Sequence, residues 1–299
     1  MSRRFYILDV FTDRALAGNA LAVVIDADGL DDARMQAIAR EFNLSETVFV
    51  TEPRNPVNTA ALRIFTAARE LPFAGHPTVG TAVLLADLRA RDLLASQDLR
   101  VVLEEPIGEV VCVARHRRGE ALAAYFTVPR LPAPAGEAPS AATLAEGLGL
   151  DAADIGFRNH LPSVWAIGAP HIFVPVASLD AMARAEPDKT RWGENGGPSV
   201  FLYSPEVAQA ESNYHARMFA GGWGVAEDPA TGSAAASFAG AVMTFDKPQD
   251  GEHMIVIEQG FEMGRPSLIS LGLEVEGGVL RSATIGGSAV IVSEGTLRL

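Results

Sequence analysis

The chain has 299 residues, of which 48% are hydrophobic and 20% charged. That is enough apolar material for two packed domains and too little charge for a disordered chain. Acidic residues outnumber basic ones, 37 to 24, for a formal charge of −13, which argues against a protein that wraps nucleic acid phosphates. The single cysteine, Cys112, excludes an intrachain disulfide, a thiolate zinc cluster and any two-thiol mechanism within one chain. It also fits a cytoplasmic location. Asp9 interrupts the apolar run Phe5-Tyr6-Ile7-Leu8, so no signal peptide is expected. The longest apolar runs fall well short of the ~20 residues of a spanning helix, so no membrane segment is expected either.

In chain order, Phe5–Val10 and Ala20–Ile25 read as strands, joined by a turn-rich loop that contains Ala17-Gly18-Asn19. Asp31 and Asp32 open a helix through Phe42, with Met35, Ile38, Ala39 and Phe42 on one face. Thr47–Val50 and Ala60–Phe65 read as strands, and Pro77–Arg89 as a helix. Val101–Leu103, Glu109–Val113 and Ala121–Val128 read as strands, and four prolines mark 129–140 as a linker. The second half follows a similar order. Ser140–Leu148 is helical, Trp165–Ile167 and Ile172–Val176 are strands, and Leu179–Ala185 is helical. Val200–Tyr203 and Tyr214–Phe219 are strands, and Ser233–Met243 is a helix of small residues. Four strand-like stretches close the chain: Met254–Glu258, Ser267–Leu271, Val279–Thr284 and Ala289–Val292. Gly286-Gly287-Ser288 reads as a turn.

Landmarks recur at about half the chain length. Ala17-Gly18-Asn19 matches Gly168-Ala169-Pro170 at an offset of 151, and Val48-Phe49-Val50 matches Phe201-Leu202-Tyr203 at 153. Thr78 matches Thr231 at 153, and Arg63-Ile64-Phe65 matches Arg217-Met218-Phe219 at 154. A duplicated α+β domain follows. The helices opened by the two threonines, Thr78–Ala86 and Ser233–Met243, have no charged face. A helix apolar on all sides must be enclosed, so each is expected inside its own sheet, with small residues allowing close approach.

The starts of these helices carry the candidate chemistry. Phe73-Ala74-Gly75-His76-Pro77-Thr78 places Pro77 at the first helical position and His76 at or near the N-cap. Glu227-Asp228-Pro229-Ala230-Thr231-Gly232-Ser233 opens the second. Free N–H groups and the helix dipole at such termini attract an anion such as a substrate carboxylate, although Asp, Thr and Ser are also ordinary caps. If a pseudo-two-fold axis relates the halves, both termini face one cleft. Glu46, between a helix and an apolar strand, is either an ordinary surface residue at a turn or a carboxyl made basic by the apolar groups of Leu44, Val48 and Phe49.

Other motifs fail. There is no His-Glu-x-x-His, Cys-x-x-Cys, Gly-x-x-x-x-Gly-Lys or Gly-x-Ser-x-Gly. The lysines, Lys189 and Lys247, stand in polar contexts, which disfavours Schiff-base and pyridoxal chemistry. His116 reads as a solvated hairpin tip and His171 as a satisfied structural residue. His160, His215 and His253 have no partner spacing that points to a site.

Five segments together resemble the phenazine biosynthesis PhzF-like family, which is similar in fold to diaminopimelate epimerase. They are Asp9-Val10-Phe11 with Ala17-Gly18-Asn19; Asn43-Leu44-Ser45-Glu46-Thr47; Pro72-Phe73-Ala74-Gly75-His76-Pro77-Thr78; Glu227-Asp228-Pro229-Ala230-Thr231-Gly232-Ser233-Ala234; and Glu258-Gln259-Gly260 with Met263-Gly264-Arg265-Pro266-Ser267. The resemblance implies an α+β fold of two pseudo-symmetric domains, each a barrel-like mixed sheet around a central helix, and a homodimer. The domains are expected at 1–118 plus about 285–299 and at 119–284.

The phenazine enzyme is a cofactor-free isomerase of a dihydro-hydroxyanthranilate, and its roles carry over by position. Glu46 matches the acid/base glutamate, and His76 and Asp228 match two further polar residues of its site. Gly75, Gly232 and Ser233 match the part that holds the substrate carboxylate, with Thr78 and Thr231 beside them. The related epimerases use a cysteine at each helix start, where this chain has Gly75 and about Asp228. The expectation is therefore a cofactor-independent, metal-independent isomerase of a small carboxylic acid that moves a proton in an allylic shift. The rivals are an epimerase that uses Glu46 with Asp228 on opposite faces, and a carboxylate-binding protein without turnover.

Overall fold

The computed structural model describes residues 2–188, 199–220 and 226–299; Lys189 lies outside them. The chain divides into two compact units, Met1–Thr127 with Gly286–Leu299, and Val128–Ile285.

In the first unit β-branched and aromatic runs alternate with turns, and pairing follows from that order. Strand β1 (Ser2–Val10) pairs antiparallel with β2 (Asn19–Val24). Asp31 caps helix α1 (Asp32–Phe42) by accepting from the Arg34 N–H, and Met35, Ile38 and Ala39 bury its inner face. The helix stops at Asn43 in the left-handed conformation, φ 51°, which asparagine tolerates better than most residues. Strand β3 (Glu46–Thr51) then runs parallel to β2 and antiparallel to β4 (Ala60–Phe65). The short β5 (Glu70–Leu71) sits on β4. After helix α2 (Gly75–Leu94), strand β6 (Leu99–Glu105) lies parallel to β4, and β7 (Gly108–Arg115) and β8 (Ala123–Thr127) continue antiparallel.

The C-terminal strand Val279–Arg298 pairs with both β8 and β1, which closes the ring. Closure leaves the ring no open edge. Helix α2 packs against β1, β2, β3, β6, β7 and β8, and all of Gly75–Ala86 is buried. This is the enclosure that its apolar sequence demands. The segment Ala123–Thr127 belongs to this unit because it pairs with β7.

The second unit repeats the order. It comprises β9 (Ala133–Pro134), α3 (Ala141–Leu148), β10 (Ser163–Ala166), β11 (Pro170–Pro175), α4 (Leu179–Arg184), β12 (Val200–Ser204), β13 (Tyr214–Phe219), β14 (Glu227–Asp228), α5 (Gly232–Phe245), β15 (Gly251–Gln259) and β16 (Ser267–Glu276), before the last strand, β17. The pairings recur in register. Leu21↔Glu46 between β2 and β3 has its counterpart in Ile172↔Val200 between β11 and β12. Ala60↔Leu103 between β4 and β6 recurs as Tyr214↔Ile257 between β13 and β15, both partners 154 residues further on. Helix α5 packs on β9, β10, β11 and β16, and Ala234–Val242 is buried without a break.

Three expectations need correction. The proline-marked segment 129–140 is not a bare linker, since Ala133 and Pro134 pair with β10. The last two expected strands are one, and Gly286-Gly287-Ser288 lies inside it rather than in a turn. The glycine there answers to packing: a Cβ at Gly286 would stand 2.2 Å from the Tyr125 ring. Gly240 does the same on α5, where a Cβ would stand 2.3 Å from the Trp165 ring.

Helix propensity alone would make Gly240→Ala stabilising by about 1 kcal/mol. Overpacking against the indole should reverse the sign, with a loss of roughly 1–3 kcal/mol in urea unfolding. A stabilised variant would show that Trp165 does not rest on α5.

Candidate active site

In the first unit the αL stop at Asn43 turns the chain sharply into β3, so Glu46 is the strand's first residue. Its side chain is 18% exposed. The start of α2 reaches it: Nδ1 of His76 lies 3.3 Å from Oε2 of Glu46. The helix begins earlier than the sequence suggests. Ala74 is the N-cap, without a side-chain hydrogen bond, and Gly75, His76 and Pro77 form the first turn. Proline is harmless there, because first-turn N–H groups have no helical partner. His76 is buried at 5% exposure. Burial pushes its imidazole down to about 3, with a backbone contact at Ala20 pulling the other way. The ring is therefore neutral near pH 7. Nδ1 is the ring nitrogen that faces the Glu46 carboxylate; in a neutral ring one nitrogen carries the proton and the other a lone pair. That Nε2 is buried and has no hydrogen-bond partner among the described residues. Thr78 is fully buried, with its hydroxyl 2.8 Å from the Ala74 carbonyl and 2.7 Å from Glu105 Oε1.

In the second unit Asp228 lies on β14, paired with Met218 of β13. Thr231 is the N-cap of α5 but spends its hydroxyl on Asp228, donating to Oδ2 at 2.5 Å. Gln259, at the end of β15 and fully buried, clamps this turn. Its Nε2 donates to the Asp228 carbonyl at 2.7 Å and to Thr231 Oγ1 at 3.2 Å, and its Oε1 accepts from the Thr231 N–H at 3.2 Å. Gly232 is buried and Ser233 exposed at the start of α5. Glu46 and His76 thus meet in one unit, and Asp228 and Thr231 in the other.

Sequence reading gave Gln259 no role of its own, and its partners lie 28 and 31 residues away in sequence. It also left His215 unpartnered. The parallel register of β13 and β15 sets His215 opposite Glu258. His215 Nδ1 lies 2.6 Å from Glu258 Oε1, and Nε2 2.9 Å from Glu262 Oε1. Burial works against the charged ring, but hydrogen bonds to Glu258 and Glu262 outweigh it and hold the imidazole up at about 9. Burial likewise opposes the two carboxylates, and their bonds to His215 bring both below the ordinary range. This ion triad fastens the loop after Gln259 to the sheet. His160 is also partnered, by Tyr203 and Asp246 at 3.1 Å each. His171 is satisfied by Ser199 at 2.7 Å.

Among the described residues no group of three or more His, Cys, Asp or Glu is arranged to hold a metal ion. An open groove on the first unit, lined by Arg4, Asp26, Glu52 and Arg89 among others, includes neither Glu46 nor His76.

Comparison with known proteins gives a consistent picture. Residues 8–295 match the family model described as phenazine biosynthesis-like protein, PhzC-PhzF. The chain is 48% identical over 303 residues to an uncharacterized isomerase of Mesorhizobium japonicum, covering 99% of each. It is 34% identical over 296 residues to the trans-2,3-dihydro-3-hydroxyanthranilate isomerase of Pseudomonas fluorescens, again covering 99% of each. The crystal structure of a PhzF-family phenazine biosynthesis protein from Bacillus anthracis superposes with a TM-score of 0.87 at 26% identity, covering 100% of both chains.

The triad sets a pH profile. A raised imidazole contributes stability in full below its unfolded value of about 6.5, and loses it as pH rises through about 9. The lowered carboxylates contribute above about 4.5 and lose it as pH falls. This part of the stability should therefore plateau between those limits. Urea unfolding of His215→Leu should show a loss of roughly 3–5 kcal/mol, because two carboxylates, that of Glu258 fully buried, are left without their cation. A loss under about 1 kcal/mol would make the triad incidental.

Proposed function

We propose, for a chain that belongs to the phenazine biosynthesis-like PhzC-PhzF family and is an isomerase, that it moves a proton between two carbons of a small, unsaturated carboxylic acid. The observation that carries this reading is the 3.3 Å contact between Glu46 and a neutral, buried His76. An allylic shift breaks one C–H bond, passes the electron pair along the π system and forms one C–H bond elsewhere. It needs a base that becomes an acid, with no net change of electrons. Glu46 is suited to that task. It takes the proton from the carbon made acidic by the adjacent unsaturation, and returns it at the far end.

His76 supports the step in two ways. Its Nδ1–H steadies the Glu46 carboxylate without placing a full positive charge on it. Its Nε2 lone pair accepts a hydrogen bond from a substrate hydroxyl or amine. The N–H groups at the start of α2, beside Gly75, bind the substrate carboxylate. Thr78 holds that start rather than touching substrate. Asp228, with Thr231, Gly232 and Ser233, is the polar set of the second unit, assigned by family position and by the Gln259 clamp that fixes their turn. Positioning of this kind lowers barriers by up to about 7–11 kcal/mol in the best intramolecular models.

The relative from Pseudomonas fluorescens makes trans-2,3-dihydro-3-hydroxyanthranilate the first substrate to try. General acid–base action supplies about 10²–10⁴-fold, so Glu46→Gln should lose at least that much in kcat. Turnover in D₂O should place deuterium on the receiving carbon to the extent that the proton held by Glu46 exchanges with solvent before it is returned. Wild-type turnover by Glu46→Gln would refute the role of Glu46. Tight binding of such acids with no turnover would favour a binding protein.

A further inference from the structure

Two adjacent glutamates end β6, and they face opposite ways. Glu104 accepts from the Asn55 N–H at 2.8 Å, from Asn58 Nδ2 at 2.9 Å and from the Arg54 N–H at 2.9 Å. These bonds hold its carboxyl down at about 2. Glu105 points into the unit, at 2% exposure. Its Oε1 is 2.7 Å from Thr78 Oγ1, and its Oε2 is buried with no partner among the described residues.

The register repeat makes the pair interpretable. The positions 154 residues on are Glu258 and Gln259. Glu258 repeats Glu104: it accepts backbone N–H bonds from Ala208 and Gln209, in the loop before β13. Gln259 repeats Glu105: each reaches the threonine at the start of its unit's central helix, Thr231 or Thr78. In the second unit the chain of donors is unambiguous. The amide N–H of Gln259 donates to Thr231 Oγ1, and Thr231 donates to Asp228.

In the first unit the hydroxyl of Thr78 has one proton and two oxygen neighbours, Ala74 C=O and Glu105 Oε1. A carboxylate at Glu105 would compete with the Ala74 carbonyl for that proton and leave a bare anionic oxygen in the core. A carboxylic acid satisfies both contacts: its O–H donates to Thr78 Oγ1, and Thr78 donates to Ala74. The atom left over is then a neutral carbonyl oxygen, which costs far less to bury than an anion.

We propose that Glu105 works as a protonated carboxylic acid, the counterpart of the Gln259 amide, and that through Thr78 it fixes the first turn of α2 and so the position of His76 against Glu46. The link to His76 rests on the function proposed above; the retained proton does not. Glu105 is a positioning residue. Its surroundings agree. The titratable groups to consider are Cys112 on β7, whose buried thiol is pushed up by burial and, once Glu105 ionises at higher pH, by its charge, Glu104, turned to the other side of the strand, and His76, neutral two residues before Thr78. Glu105 has no cationic partner among the described residues, and burial raises it to about 8 against the lowering effect of Thr78.

The test is a pH series on the whole protein with Glu105→Gln and Glu105→Ala. An acid whose folded pKa is raised keeps a proton that the unfolded chain has lost. Wild-type stability should therefore fall relative to Glu105→Gln from about pH 5 to about pH 8, by up to tenfold in the folding equilibrium constant per pH unit. The infrared spectrum of the wild type should contain a protonated-carboxyl band below pH 7 that is absent in Glu105→Gln. Glu105→Gln should keep kcat, whereas Glu105→Ala should lose it. A Gln variant that is less stable at every pH, or a wild-type-to-Gln difference flat from pH 5 to 9, would overturn the proposal. So would absence of the band. If Glu46→Gln proves fully active while the pH slope and the band are present, the function fails and the proton assignment stands.

Discussion

The proposed site depends on one contact, His76 against Glu46, made where little water reaches. Excluding water requires a helix start inside a closed ring of strands. That in turn requires a helix with no polar face, which Val79–Ala86 provides. Burial then decides the charge state. Desolvating an imidazolium at this depth costs more than its neighbours return, so the ring stays neutral. An imidazolium at 3.3 Å would make any carboxylate a poorer base, whereas a neutral ring would leave the basicity that the proposed function needs. On the proposed function, burial through the fold is what leaves the carboxylate free for proton transfer.

The second unit uses the same framework for a different end. At the start of its central helix, too, a threonine is held by the last residue of the matching strand: Thr231, the N-cap of α5, where the first unit has Thr78 in the first turns of α2. Where the first unit has an acid at that place, the second has an amide, and where the first has His76 beside Glu46, the second has Thr231 donating to Asp228. Duplication kept the hydrogen-bond chain and changed the chemistry at its end. Glu258, unlike its counterpart Glu104, also holds an imidazolium. His215 therefore anchors the stretch that carries Gln259, and through it the Asp228–Thr231 turn.

Much of this was legible in the residues. The αL stop and strand start put Glu46 where the sequence placed it. The Gly-His-Pro-Thr segment located His76, and landmarks at half the chain length foresaw the repeated pairings. What was not legible depends on contacts distant in sequence. His215 looks partnerless because Glu258 and Glu262 are 43 and 47 residues away, and only the parallel register of β13 and β15 brings them together. Gly286 looks like a turn because its real neighbour, Tyr125, is on another strand. Nothing in the sequence singles out Glu105 from its neighbour Glu104, since only the strand's pairing decides which of the two turns to the loop and which to the core.

The most direct test of the account is the ionisation of His76, read by ¹⁵N NMR of its ring nitrogens from pH 5 to pH 8. The ring should stay neutral, with the proton on Nδ1, across the whole range. An imidazolium at pH 5 that titrates near the ordinary histidine value would contradict it, because Glu46 would then face a charged partner and the contact would be an ion pair.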